Sequence, residues 1–275
     1  MKKPIETEAF VELAPGIRRL TAPNPGMMTG PGTNTYLVGV EQVAVIDPGP
    51  MISSHLQQIA DLGNVRWIVT THTHPDHSPG ANRLAELTGA ERIGRRAPEG
   101  PHQDMAYAPD HEPQHRDVLE GDDFRLHMLH TPGHASNHFC YLHEDARLLF
   151  TGDHIMNGST VVIDPPDGDM ADYLDSLAEL KSEPFDAIAP GHGPVFDNPT
   201  EVIDDLIAHR LGREKKVYDA MVANPGLTSM ELVPHVYQDV SESLYTLAER
   251  SLLAHLIKLE KDGRASQRDN TWQQA

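Results

Sequence analysis

The segment Thr71-His72-Thr73-His74-Pro75-Asp76-His77 packs four metal-capable side chains into six residues, directly behind the apolar run Val65-Arg66-Trp67-Ile68-Val69-Thr70. A short apolar, β-branched run of this kind reads as a buried strand. The four donors therefore leave one strand end together. From an extended loop, His72 and His74 can converge on one ion, which leaves Asp76 and His77 for a second. Imidazole and carboxylate donors suit zinc, and an N/O donor set also admits iron or manganese. A structural zinc site would need a closed set of four ligands, usually with cysteines. No cysteine lies nearby, so an open, catalytic site is the expectation.

Four more clusters sit where extended runs end: Asp47, Thr131-Pro132-Gly133-His134, Thr151-Gly152-Asp153-His154 and Pro190-Gly191-His192-Gly193-Pro194. Glycine lets the backbone turn tightly enough to aim the adjoining side chain into a shared cleft. A lone loop histidine is ordinarily a solvated side chain, and the chain has 17 histidines. What gives His134 and His192 weight is their company, not their identity. His138 opens an apolar strand and reads as structural, whereas His154 directly follows a proposed ligand and is a candidate for an outer role.

The pattern predicts strands over residues 35–38, 42–46, 65–70, 124–129, 139–142, 148–151, 160–163 and 185–189. Helices are expected over 53–62, 81–87, 170–180 (capped by Asp169) and 201–223 (capped by Thr200). Two more are expected over 228–237 and 243–261, before a short hairpin over 264–272. Residues 94–115 are polar, Pro-rich and weakly patterned, and read as a long surface excursion. The change of texture after Thr200 suggests two domains, 1–199 and 200–275.

Charge and composition narrow the function. The formal net charge is -19, which repels polyanions at long range. Residues 200–275 carry 9 Lys+Arg against 12 Asp+Glu, so most of the imbalance lies in the N-terminal part. The one cysteine, Cys140, excludes an intrachain disulfide. No apolar run is long enough to span a membrane, and no apolar stretch follows the N-terminal lysines, so a cytoplasmic protein without a membrane partner is expected.

The five clusters, in this order and spacing, resemble the motifs of the metallo-β-lactamase superfamily over about residues 15–197, with HTHPDH matching that family's HxHxDH signature. The resemblance implies an α/β fold, a four-layer αββα sandwich with two metal ions at one edge of its sheets. It implies His72, His74 and His134 on the first ion, Asp76, His77 and His192 on the second, and Asp153 bridging both. Asp47 would stand behind the ions and orient their ligands. Asp76 and Asp153 are the residues expected to act in catalysis. The histidine at position 74 sets the chain apart from the flavin-linked diiron members, which carry glutamate there. Gly26 to Asn34 resembles the family's substrate-covering loop, with Met27 and Met28 as an apolar wall. Residues 200–265 resemble the winged-helix-like α domain of the lactamase-β-like protein 2 branch. Animal members of that branch are reported as single-strand-specific endoribonucleases, and bacterial ones are often labelled hydroxyacylglutathione hydrolases.

The reading that follows is a zinc-dependent hydrolase in which a metal-bridging hydroxide attacks a small thioester, ester or lactone. RNA is the alternative substrate, disfavoured by the acidic charge and by the lack of interleaved aromatic and basic residues. A persulfide dioxygenase with one iron and a non-enzymatic binding module are further alternatives. The C-terminal helices could also pair two copies into a homodimer.

Overall fold

The computed structural model describes residues 5–238 and 240–275; residues 1–4, part of the stretch read above as lacking a leader, lie outside it. Its contacts divide the chain into two compact units. Of the described residues, the first takes in 5–131, 137–159 and 183–199, and the second 132–136, 160–182, 200–238 and 240–275. The chain thus crosses between units several times, not only near residue 200.

Two six-stranded sheets form the first unit. The first sheet runs in chain order through β1 (Phe10–Ala14), β2 (Ile17–Thr21), β3 (Asn34–Val38), β4 (Val43–Ile46), β5 (Val65–Val69) and β6 (Glu91–Ile93). The second comprises β7 (Val118–Glu120), β8 (Arg125–His130), β9 (Phe139–His143), β10 (Leu148–Gly152), β11 (Ala187–Pro190) and β12 (Phe196–Asp197), in spatial order from β12 back to β7. Helices α1 (Ser53–Ala60) and α2 (Gly80–Thr88) provide the crossovers that make β4, β5 and β6 parallel neighbours.

Strand alternation decides which side chains meet. Tyr36, Val38, Ala44, Ile46, Trp67 and Val69 from the first sheet share one buried cluster with Leu126, Met128, Phe139, Tyr141 and Phe150 from the second. The opposite-facing residues Leu37, Val43, Val45 and Ile68 pack against Leu56 and Ile59 of α1 and Ala81 and Leu84 of α2. β3, β4 and most of β5 are therefore buried on both faces, which is why they read as continuous apolar runs.

The second unit contains α3 (Met170–Leu180), α4 (Pro199–Ala223), α5 (Ser229–Val236) and α6 (Tyr245–Lys261). A three-stranded sheet joins them, made of β13 (Leu227–Thr228), β14 (Ala265–Arg268) and β15 (Thr271–Gln274) in the order β13-β15-β14. Met221, Leu232, Val233, Leu252, Leu256 and Trp272 form its own core. Thr228 and Glu231 make a reciprocal capping box at the start of α5. The expected hairpin turns through Asp269 and Asn270, both at positive φ. Among the described residues, no helix is long and apolar enough to cross a membrane.

Two expected features differ. Residues 160–163 are not a strand. Their carbonyls accept side chains instead, Val161 O from Arg210 and Val162 O from His134, and so do not enter a ladder. α4 begins at Pro199, so Thr200 lies inside the helix and does not cap it. Proline is favoured at a first helical position because that N–H has no partner in any case.

The face-to-face core makes a direct prediction. Phe150 on β10 is fully buried, its ring 4.9 Å from that of Tyr36 on β3. Phe150→Ala is expected to cost about 3–5 kcal/mol, read from urea unfolding of metal-free protein so that ligand binding does not mask the loss.

Candidate metal centre

Asp47 follows β4 in a left-handed conformation with φ 51°, a strained position for a residue with a side chain. The strain is held by hydrogen bonds. Its Oδ1 accepts from Thr71 N at 2.7 Å, and its Oδ2 accepts from Thr71 Oγ1 at 2.8 Å and from His77 Nδ1 at 2.8 Å. Its own carbonyl accepts from Thr35 Oγ1 at 2.6 Å. A carboxylate only accepts, so His77 must carry a proton on Nδ1, which leaves Nε2 as the atom that can face an ion once any proton on it is displaced.

The same logic fixes the other rings. His192 Nδ1 faces the Gly32 carbonyl at 3.2 Å, which leaves Nε2 as its coordinating atom. Thr71 Oγ1 donates to Asp47 and so receives the proton of His72 Nδ1 at 3.0 Å. His72 Nε2 then faces His74 Nδ1 at 2.9 Å with the two rings nearly perpendicular, so two nitrogen ligands are presented side by side. His134 belongs to the second unit. Its Nδ1 donates to Val162 O at 2.7 Å, again leaving Nε2 to coordinate.

Asp76, His77, Asp153 and His192 come together within the first unit, with ligand atoms all within 4.8 Å of one another. His192 Nε2 lies 3.1 Å from Asp76 Oδ2 and 3.4 Å from Asp153 Oδ1, and His77 Nε2 lies 3.5 Å and 3.4 Å from the same two oxygens. Both Nε2 atoms are buried, yet neither finds hydrogen-bond geometry. Nitrogen and oxygen atoms that converge on a common centre without pairing off are what a cation requires, and a buried polar atom left without a partner is otherwise costly. The donor set, two imidazoles and two carboxylates, fits a divalent ion of the zinc, iron or manganese class.

Backbone shape protects this space. A Cβ on Gly191 would lie 2.6 Å from Asp153 Oδ1 and 2.8 Å from His77 Cε1. Gly152, at φ 45°, would meet Thr71 Oγ1 at 2.5 Å. Asn34 stitches the two sheets together at this end. Its N donates to Gly191 O at 2.8 Å, and its Nδ2 donates to Pro190 O and Gly193 O at 3.0 and 2.8 Å. Sequence reasoning missed Asn34 and Thr71 as supports. Neither residue type announces such a role, and both act through a partner distant in sequence.

The electrostatics follow from the convergence. Burial opposes charge on His77, but the carboxylates of Asp76, Asp153 and Asp47 outweigh it and raise its pKa well above the ordinary value. Burial likewise opposes charge on His192, yet Asp153 and Asp76 push it up to about 9. Burial would raise the carboxyl of Asp153, but His192 and His77 hold it well below the usual range, and Asp76 is lowered in the same manner. His138 and His154 are both fully buried with rings 5.6 Å apart, and His138 stacks 5.1 Å from His72. The His138 ring is tilted by 33° against that of His72.

Sequence comparison matches residues 28–192 to the family described as the metallo-beta-lactamase superfamily, and residues 228–272 to the beta-lactamase associated winged helix domain. The beta-lactamase-like protein 2 homolog of Caenorhabditis elegans is 30% identical over 270 residues, covering 93% of this chain and 88% of that protein. The atrochrysone carboxyl ACP thioesterase of Passalora fulva is 29% identical over 273 residues, covering 92% and 78%. Among solved structures, a metallo-beta-lactamase family protein from Thermus thermophilus superposes with a TM-score of 0.80 at 21% identity, covering 96% of this chain and 100% of that one. The fold is thus the two-sheet metallo-beta-lactamase fold with a C-terminal winged helix.

Two measurements test the centre. Gly191→Ala is expected to fold but to retain less than half the divalent metal of the unsubstituted protein, by elemental analysis after dialysis. An ion must also displace the proton that His192 holds below pH of about 9. Binding at pH 7 should therefore release at least one proton, seen as a buffer-dependent enthalpy, and affinity should rise with pH until about 9. A pH-independent affinity between 6 and 9 would refute this.

Proposed function

The chain belongs to the metallo-beta-lactamase superfamily, and on that footing we propose that it is a dinuclear, zinc-dependent hydrolase of small acyl compounds, thioesters before esters and lactones. The observation that carries the reading is the convergence of Asp76, His77, Asp153 and His192 with two buried Nε2 atoms that lack hydrogen-bond geometry. Asp76, His77 and His192 would hold one ion, His72, His74 and His134 the other, and Asp153 would serve both. Bound ions of this kind lower the pKa of a water toward about 7 and polarise an acyl oxygen. Iron or manganese would satisfy the same donors.

The chain's own residues define the rest. Asp153 and Asp76 are kept ionised by the neighbouring histidines, so at neutral pH they accept hydrogen bonds from an attacking water and orient it. Asp47 keeps His77 in the one tautomer that can coordinate. Cys140 is no rival nucleophile, because burial pushes its thiol up to about 12. The attacking group is water.

The choice of thioester rests on two arguments. A thiol has a pKa of about 8.5, so a thiolate leaves without a dedicated proton donor. Relatives similar along nearly the whole chain are named as acyl-carrier-protein thioesterases. At a net charge of -19, the surface disfavours the phosphate contacts on which nucleic-acid affinity depends. The winged-helix unit is proposed to act in recognition or pairing of copies, and the protein to be cytoplasmic.

The test is a substrate panel on protein of known metal content: an acyl thioester, a lactone, bis-p-nitrophenyl phosphate and a labelled single-stranded RNA. Two ions per chain are expected, with thioester turnover lost at least a hundredfold in His134→Ala and Asp153→Asn. RNA cleavage that vanishes in the same variants, without thioester turnover, would overturn the substrate assignment. A single iron with persulfide oxidation would overturn the reaction class.

A further inference from the structure

We propose that Arg210 on α4, with Arg250 on α6, positions the imidazole of His134 and so sets the direction of its Nε2. The inference rests on the reading of His134 as a ligand. Its observations all lie within the second unit.

The irregular segment from Val161 to Asp169 is a strap gripped from several sides. Val162 O receives His134 Nδ1 at 2.7 Å, and one residue earlier Val161 O receives Arg210 Nη2 at 2.5 Å. The acceptor that holds the arginine and the acceptor that orients the ligand ring belong to consecutive peptide units joined at the Val162 Cα. By fixing the first peptide plane, Arg210 limits rotation about Val162 and so restrains the second carbonyl, whose hydrogen bond sets the direction of His134 Nε2. Farther along, Arg250 Nη1 donates to Asp164 Oδ2 at 3.1 Å, and Lys261 of the same helix pairs with Asp169.

The backbone of His134 is seated on the same structure. Ser176 Oγ donates to Pro132 O at 2.8 Å, Asp169 N to Gly133 O at 2.8 Å, and Asp167 Oδ1 accepts from Ser136 N at 3.2 Å. Gly133, at φ 142°, lies so close to Tyr173 that a Cβ would come within 2.4 Å of the Tyr173 Cα. The guanidinium of Arg210 lies 5.2 Å over the ring of that same tyrosine. Arg210 therefore touches both supports of His134, the strap behind its ring and the tyrosine beneath its backbone.

The cost of Arg210 argues for such a role. Its side chain is almost fully buried, it has no carboxylate partner among the described residues, and its Nε makes no hydrogen bond. A buried cation held by one neutral carbonyl and an aromatic face is a poor stabiliser compared with an apolar side chain of similar size. What it supplies is a fixed direction for one backbone oxygen. Partners that fix a ligand histidine typically change metal affinity by about 10–100-fold when removed.

The test is zinc binding by the full-length protein, measured by competition with a chromophoric chelator alongside circular dichroism. Arg210→Met is expected to keep one tight ion and to bind the other about 10–100-fold more weakly. Arg210→Lys, which can still donate to Val161 O, should recover part of the loss, a rescue that a mere packing role would not give. His134→Ala should lose the same ion. If His134→Ala loses it while Arg210→Met binds both ions as the unsubstituted protein does, this inference is wrong and the ligand reading stands. If His134→Ala retains both ions, the ligand reading falls and takes this inference with it. Should Arg210→Met not fold, Asp164→Asn, within the strap where Arg250 grips it, decides: weaker binding of one ion supports the proposal, and unchanged binding overturns it.

Discussion

The site depends on one carboxylate that need not touch a metal. Asp47 gathers the backbone and hydroxyl of Thr71 and the ring of His77 onto two oxygens, and so ties the end of β4 to the loop that leaves β5. Its left-handed backbone would be unfavourable in isolation. Three charge-assisted hydrogen bonds in a buried setting offset that strain. Through Thr71 the same carboxylate reaches His72, so two rings of the candidate site take their tautomers from a single residue.

The sheets make this arrangement possible by ending together. β4 and β5 are parallel neighbours, so Asp47 and Thr71 emerge side by side. β10 and β11 are parallel in the second sheet, which brings Gly152-Asp153 and Gly191-His192 to a common level. The apolar cluster between the sheets then fixes the separation of the two pairs. Ligand geometry is thus set by strand pairing and core packing, and only trimmed by loop hydrogen bonds.

Much of this was legible beforehand, for physical reasons. Strands buried on both faces, such as β3 and β4, carry continuous apolar runs that a sequence displays openly. The candidate clusters were visible because four donors crowd into residues 72–77 and the others stand beside glycine. β1 and β2 were missed because their charged residues break the apolar runs, with Glu12 facing Arg18 and Val11 facing Arg19 across the pair. β6, β7 and β12 are only two or three residues long and take their conformation from neighbours. The irregular course of residues 160–163 could not be read locally, since its hydrogen-bond partners, His134 and Arg210, lie far away in the chain. The gap shows where pattern reading stops, at backbone groups satisfied by side chains from elsewhere.

The position of the candidate ligands along the chain bears on how a metal-binding protein of this kind would mature. His72, His74, Asp76 and His77 are neighbours in sequence, whereas His192 acquires its orientation from Gly32, 160 residues earlier. An unfolded chain already holds a local chelator but lacks the distant histidine. A metal ion met early would bind that hexapeptide loosely, and affinity for the unfolded state subtracts from what the ion contributes to stability. Closing the long loop between Gly32 and His192 is slow compared with local pairing. The order of events that wastes least binding energy is therefore sandwich first and ions second, with a preformed, protonated centre waiting to exchange protons for metal.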